Sequence, residues 1–328
     1  MERLLVLAYR AGWALVRALP EPVAARLFRF GADLAWRRQG KGAQRLRSNL
    51  ARVVGPDADL DELGRDAMRS YARYWLECFR LPVLSPERIV GRMHIREEHN
   101  LRDAHAAGKG TILALPHMGN WDHAGAWLVL TGVPFTTVAE RLKPAEMYDL
   151  FVAFREGLGF EVLAASGGGR PPFEVLTDRL LAGGMLCLLA DRDLTPSGVA
   201  VTFFGARATM PAGPAALALR TGAALIPTTL WYSGNAVNGA WEARTEAPVP
   251  HTDIATMTQA MADAFAAAIA AHPADWHMLQ RLWTDDLDAA REPATPADGE
   301  ADSGSVPDIV PDTGPDTLAN QATAVSEM

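Results

Sequence analysis

Residues 110–127 read GTILALPHMGNWDHAGAW, and the rest of the chain is best parsed outward from them. Thr111 to Leu115 form a β-rich apolar run that breaks at Pro116-His117-x-Gly119-Asn120. A helix-like segment then opens at Trp121, with Asp122 in its first turn. A strand end followed by an exposed His and a nearby carboxylate is how a chain presents a general base with an orienting anion. Spacing alone is a weak signal, because with 8 His and 39 acidic residues in 328 a carboxylate five positions after a His arises about once by chance. Context strengthens it: His117 alone among the eight has such a partner, and it sits where the apolar run ends. The plainer alternative is a loop His followed by an Asp that merely favours a helix dipole.

Beyond this stretch, apolar β-rich runs alternate with helical ones. Strands are predicted at 111–115, 133–139, 160–164, 185–190, 201–204 and 224–231, and helices at 121–130, 144–158, 172–182 and 211–221. Three of those helices start with Pro and several end near Gly, which are good start and stop signals. The alternation predicts an α/β fold, a mostly parallel central sheet flanked by helices. A helical N-terminal region of about a hundred residues precedes it, and a last helix at 254–271 precedes WHMLQRLW. The organisation read from this is a single domain over 1–288, with a helical membrane-associating part at 1–100 and a catalytic core at 101–288. Residues 289–328 are Pro, Asp, Thr, Ala and Ser with almost no aromatics, and are expected to be a disordered acidic tail.

A parallel sheet concentrates chemistry at the carboxyl ends of its strands. Here those ends deliver His117, Glu140, the Ser166–Arg170 loop SGGGR, and Asp191-Arg192-Asp193. If the strands are parallel neighbours, all four sets converge on one edge. The glycine loop offers backbone amides to a phosphate or is simply a mobile turn; it lacks the Lys-Ser/Thr ending of a nucleotide loop. Trp121 and Trp127 are wall residues of an apolar channel or plain core.

Net charge is −8, but residues 289–328 hold one Arg and eight carboxylates, whereas residues 1–50 carry ten Lys/Arg against three acids. In MERLLVLAYRAGWALVRALP, Arg3, Arg10 and Arg17 fall seven apart and form one polar stripe on an otherwise apolar helix. Such a helix, with its Trp, suits an anionic membrane interface; a helix packed on the protein with Arg facing water is the alternative. Its uncharged runs are too short to span a bilayer, and no small-residue cleavage site follows. WRRQGKGAQRLRSNLAR adds six Lys/Arg that meet phosphate head groups or form a solvated face. Cys78 and Cys187 lie in apolar contexts and read as buried thiols.

With no Gly-x-Ser-x-Gly elbow, a serine nucleophile is unfavoured and the attacking group becomes a substrate hydroxyl. His117, Asp122 and His123 lack the spacing of a metal site, so no metal is expected. On this reading His117→Ala and Asp122→Ala both abolish turnover with the fold intact.

LPHMGNWD, AERLKP, ADRDLTPSG, FFG and MPAGPAALALRTGAALIP together resemble the bacterial phosphatidylinositol mannoside acyltransferases, within the broader lipid A acyltransferase superfamily, across roughly residues 1–285. The resemblance implies transfer of a long-chain acyl group, typically palmitoyl, from acyl-CoA to a mannose hydroxyl. The implied setting is the cytoplasmic face of the plasma membrane. The implied partners are acyl-CoA as co-substrate, phosphatidylinositol mannoside and an anionic membrane surface, with no other cofactor and no nucleic acid. By motif, His117 is the general base and Asp122 its orienting anion. Glu140 and Arg155 fall where the family holds the acceptor sugar and supports the site, and Arg192 is grouped with them as substrate-binding. Asp191 stands where the family extends the charge relay with Glu, one methylene longer, so its reach to His117 is a structural question. A different glycolipid or lysophospholipid acceptor, or a noncatalytic lipid-binding module, remains the alternative.

Overall fold

The computed structural model describes residues 11–141, 145–166, 169–193 and 198–286. Residues 1–10, with Arg3 and Arg10 of the N-terminal Arg stripe, the middle of the SGGGR loop and the acidic tail lie outside the described residues. A first helix, α1 (described over 11–18), is followed by α2 (Glu21–Arg38), α3 (Lys41–Val54), α4 (Leu60–Arg80) and α5 (Pro86–Gly91). The chain then enters the sheet region through β1 (Met93–Arg96), α6 (Glu98–Ala106), β2 (Thr111–Leu115), α7 (Trp121–Leu130), β3 (Phe135–Ala139), α8 (Ala145–Glu156), β4 (Glu161–Ala164), α9 (Pro172–Leu181) and β5 (Met185–Leu189). It closes with β6 (Val199–Phe203), β7 (Ala206–Met210), α10 (Gly213–Thr221), β8 (Ala224–Ser233), β9 (Ala240–Thr245) and α11 (Ile254–Ala271).

Seven strands form the main sheet in the order β1-β9-β8-β2-β5-β3-β4. β8, β2, β5, β3 and β4 run parallel, while β9 is antiparallel to β8 and carries β1 parallel to itself at the edge. The expected α/β architecture is therefore present, with two departures. The run 201–204 leaves the main sheet and pairs as β6 with β7 in an antiparallel two-stranded sheet. β9 and the edge strand β1, unread in the sequence, complete the main sheet.

The all-apolar reading of TILAL follows from its central position, because a strand covered on both faces has no polar side. Ile112 and Ala114 face one core with Leu176, Leu217, Met261 and Phe265 from α9, α10 and α11. Leu113 and Leu115 face the other with Tyr74, Leu101, Trp127 and Phe154 from α4, α6, α7 and α8. Each such Leu or Ile contributes about 1.5–3 kcal/mol by leaving water. α11 is apolar and long enough to cross a bilayer, but its Met257, Met261, Phe265 and Ile269 are fully buried in the first core.

The N-terminal helices form a third cluster in which Trp36, Leu46, Leu50 and Met68 meet. α2 and α4 approach so closely that a Cβ on Gly64 would lie 2.1 Å from the Trp36 ring. Trp13, expected at a membrane interface, instead packs inward with its ring 5.3 Å from Phe79 and 5.5 Å from Phe154. Exposed apolar side chains are found beside it: Leu15 on α1 and Val23, Leu27 and Phe30 along one face of α2. On α3, Arg52 forks onto Asp286 at 2.8 Å and lies over the Trp283 ring, and Arg47 pairs with Asp61. Much of that basic segment is thus engaged with the protein.

Candidate active site

Strand register builds the site. β2 and β5 pair Leu115 with Leu189, and Ala190 N–H donates to Leu115 O at 2.8 Å. Two residues further on, His117 and Asp191 stand side by side. His117 Nδ1 lies 2.6 Å from Asp191 Oδ1, and the His117 backbone N–H donates to Oδ2 at 2.9 Å. Trp276 Nε1–H adds a third bond to Oδ2 at 3.1 Å. Asp191 is fully buried, and burial alone would raise its pKa. The charge of His117 and these hydrogen bonds outweigh it and hold the carboxyl below its ordinary value. An ionised acceptor on Nδ1 puts the imidazole proton there and leaves the lone pair on Nε2, which has no hydrogen-bond partner. The shorter carboxylate therefore reaches His117, because register rather than side-chain length brings the two together.

The loop after His117 is tightly specified. Met118 N–H donates back to Pro116 O at 2.7 Å, and Gly119 adopts φ +61°, where a Cβ would lie 2.7 Å from the Leu230 backbone. Residues 275–277 brace it: Gly119 N–H donates to Asp275 O at 2.9 Å and His277 N–H to His117 O at 2.8 Å. His277 Nε2 is 2.9 Å from Ser70 Oγ, whose hydroxyl donates to Asp275 Oδ1 at 2.6 Å. The Ser70 proton is thus held by a carboxylate, with His277 as donor to the hydroxyl, which is the reverse of an activated nucleophile. Burial, followed by the neighbouring His117 charge, pulls the His277 pKa down to about 3 and keeps it neutral.

Asp122, expected to orient His117, makes its hydrogen bonds with other groups. It is 1% exposed and accepts from Arg155 Nε–H at 2.9 Å and from Tyr74 Oη–H at 2.9 Å, with the Cys78 thiol at 3.5 Å. A five-residue spacing across a strand-to-helix turn carries Asp122 onto the inner face of α7, toward Tyr74 and Cys78, one turn apart on α4. Burial, then the Asp122 charge, pushes both the Tyr74 hydroxyl and the Cys78 thiol well above their ordinary pKa, so both remain protonated donors. Arg155 is 2% exposed and lies 4.2 Å over the Trp121 ring. Burial opposes its charge, but Asp122 and its neighbours raise its pKa. This is a buried ion pair that anchors α7, and through it the His117 loop.

The remaining expected residues separate. Glu140 ends β3 half-buried, two strands from His117 in the sheet order and so about 10 Å along the edge. Arg192, expected among the substrate-binding groups, is 6% exposed; its Nε–H donates to Arg281 O at 2.8 Å and its Nη1 meets Gln280. That geometry ties the 276–283 segment to the end of β5 rather than opening the guanidinium to a ligand. Sequence reading also missed Glu77, a buried carboxylate that receives Arg73 Nε–H at 2.6 Å, Asn120 Nδ2–H at 2.8 Å and Trp241 Nε1–H at 2.7 Å. Asn120 caps α7 by accepting from His123 N–H, so Glu77 also positions the catalytic turn. The signal available was a Glu inside the apolar run WLECFRL.

On the α7 side of the sheet lies a narrow apolar cavity of about 40 Å³ walled by Leu113, Leu115, Trp121, Trp127, Phe135 and Leu230. Leu115 and Trp121, on either side of His117 in the sequence, are among its lining residues. The two Trp side chains are wall and core at once.

A histidine held by a buried carboxylate stands at the carboxyl edge of a mostly parallel sheet, an arrangement chemically able to take a proton from a hydroxyl. The sequence matches the bacterial lipid A biosynthesis acyltransferase family over residues 1–285. It is 53% identical over 289 residues to a phosphatidylinositol mannoside acyltransferase of Mycolicibacterium smegmatis, covering 87% of this chain and 93% of the relative. It is 51% identical over 290 residues to a phosphatidylinositol mannoside acyltransferase of Mycobacterium tuberculosis, covering 87% and 90%. The chain belongs to the lipid A biosynthesis acyltransferase family and is an acyltransferase.

Proposed function

We propose that this acyltransferase moves a long-chain acyl group, palmitoyl in the first instance, from acyl-CoA to a mannose hydroxyl of phosphatidylinositol mannoside. The observation that carries the mechanism is the 2.6 Å His117–Asp191 pair with Nε2 unpartnered. The acceptor is inferred from the two mycobacterial relatives. His117 Nε2 takes the hydroxyl proton as the mannose oxygen forms its bond to the thioester carbonyl carbon. Asp191 stabilises the imidazolium. The tetrahedral intermediate then collapses, the C–S bond breaks, and the departing CoA sulfur receives the proton from Nε2. The apolar lining around Leu115 and Trp121 widens to take the hydrocarbon chain and so aligns the carbonyl with the base. Acyl-CoA is a co-substrate and no further cofactor is invoked.

The same reading puts the enzyme peripherally on the cytoplasmic face of the plasma membrane. Its support is the exposed Leu15, Val23, Leu27 and Phe30, with Arg26 and Arg29 among them on α2. Incubating purified protein with palmitoyl-CoA and phosphatidylinositol mannoside should yield acylated glycolipid and an equal amount of free CoA. CoA release that is indifferent to the glycolipid would overturn the proposal.

A further inference from the structure

A second cleft, of about 750 Å³, opens between α2, α4 and the turn from β8 to β9, with Arg26, Arg29, Arg69, Arg73, Tyr232 and Asp275 on its walls. We propose that this cleft is a phosphate-ester subsite of the acyl-transfer reaction inferred above, a reading that it deepens and on which it rests.

Its charges are unevenly satisfied. Arg69 is committed to Asp33 at 2.6 Å and Asp66 at 3.0 Å. Arg26 and Arg29 are exposed, and although the Arg29 charge reaches Asp33, neither makes a close ion pair among the described residues. At the floor, Arg73 is 9% exposed; its Nε–H bonds Glu77 at 2.6 Å and its Nη1–H the Gly234 carbonyl at 2.9 Å. Its Nη2 is buried without any partner. That guanidinium lies 3.9 Å over the Tyr232 ring, and the Tyr232 hydroxyl is likewise buried and unpartnered. Two buried donors at the cleft floor are thus left without an acceptor, a costly arrangement unless a ligand oxygen completes it. Arg forks match phosphate oxygens in geometry and charge.

The carboxylates nearby do not oppose an anion strongly. Asp66 is paired with Arg69, and Asp275 accepts from Ser70 and from the Tyr232 backbone N–H. Burial also pushes Asp275 above the ordinary carboxyl range. The floor is continuous with the catalytic loop, since Asp275 accepts from Gly119 and Ser70 bonds His277. A phosphate held there belongs to a reacting molecule, either the phosphodiester of the glycolipid or the phosphates of the coenzyme.

Calorimetric titration of the full chain with CoA and, separately, with inositol 1-phosphate distinguishes the two sources. The protein is expected to bind at least one of them, and Arg26→Gln/Arg29→Gln and Tyr232→Phe are each expected to weaken that ligand about tenfold. Loss confined to CoA assigns the cleft to the donor, and loss confined to inositol 1-phosphate assigns it to the acceptor. His117→Ala should bind as the parent does, so binding is read independently of transfer. If the parent binds neither ligand, or both variants bind as the parent does, the subsite is refuted, whatever the outcome of the transfer assay.

Discussion

His117→Ala is expected to lower kcat by about 10²–10⁴-fold with the circular dichroism spectrum unchanged, because the imidazole acts on the proton of the attacking oxygen and not on packing. Asp191→Asn should cost a similar factor, since the amide neither fixes the Nδ1 tautomer nor stabilises an imidazolium. Steady-state turnover near the parent value in either variant refutes the base assignment. Asp122→Ala is expected to behave differently. It strands the Arg155 guanidinium at 2% exposure and should lower unfolding stability by about 3–5 kcal/mol, read as a shift in the urea midpoint. An unchanged midpoint would return Asp122 to a purely chemical role. The importance of His117 is legible in the sequence from its place at a strand end. Its true partner is not, because Asp191 lies 74 residues away and only strand register joins them. Arg155 and Arg192 illustrate the same limit: charge type is written in the sequence, but which way a guanidinium turns is decided by burial.

Helices and strands with strong periodicity and clear end signals stand where they are read. The strand at 111–115 and the helix at 254–271 match at both ends, and α7 spans the expected 121–130. β1, β7 and β9 escape because they are four to six residues long and their alternation is brief: Trp241, Ala243 and Thr245 point inward while Glu242 and Arg244 are less buried. At this scale the cavity makes a prediction about chain length. Ala124, on α7, lines it, so Ala124→Leu should lower kcat/KM for palmitoyl-CoA by about tenfold relative to decanoyl-CoA. Equal discrimination by parent and variant would place the hydrocarbon elsewhere. The exposed face of α2 makes another. Leu27→Asp with Phe30→Asp should abolish most cosedimentation with anionic vesicles, and the residual binding of the parent should fall with salt. Unimpaired binding by the double variant removes α2 from the membrane contact.

Acid should destabilise the whole molecule well before its carboxylates titrate. His123 is fully buried, stacked 3.6 Å from Trp241, and burial holds its pKa near about 3; His277 is held at about 3 as well. Above pH of about 6.5 neither folded nor unfolded chains protonate these rings. Below it the unfolded chain takes up protons that the folded one refuses, and stability falls by up to about 1.4 kcal/mol per pH unit for each ring. Urea midpoints at pH 7 and pH 5 should therefore differ markedly, and equal midpoints would contradict the depressed values. The α/β class is legible because alternation of apolar runs and capped helices is a property of the entire chain, whereas the bracing of residues 275–277 against the His117 loop is long-range and leaves no local trace. The pairing of His117 with Asp191 across β2 and β5 has a final consequence. On the proposed mechanism neither strand alone carries a working base, so a nascent or partly melted chain has no half-built centre with which to squander its acyl donor on water. Competence switches on with the zipping of the sheet, and loss of turnover during denaturation should report the parting of those two strands.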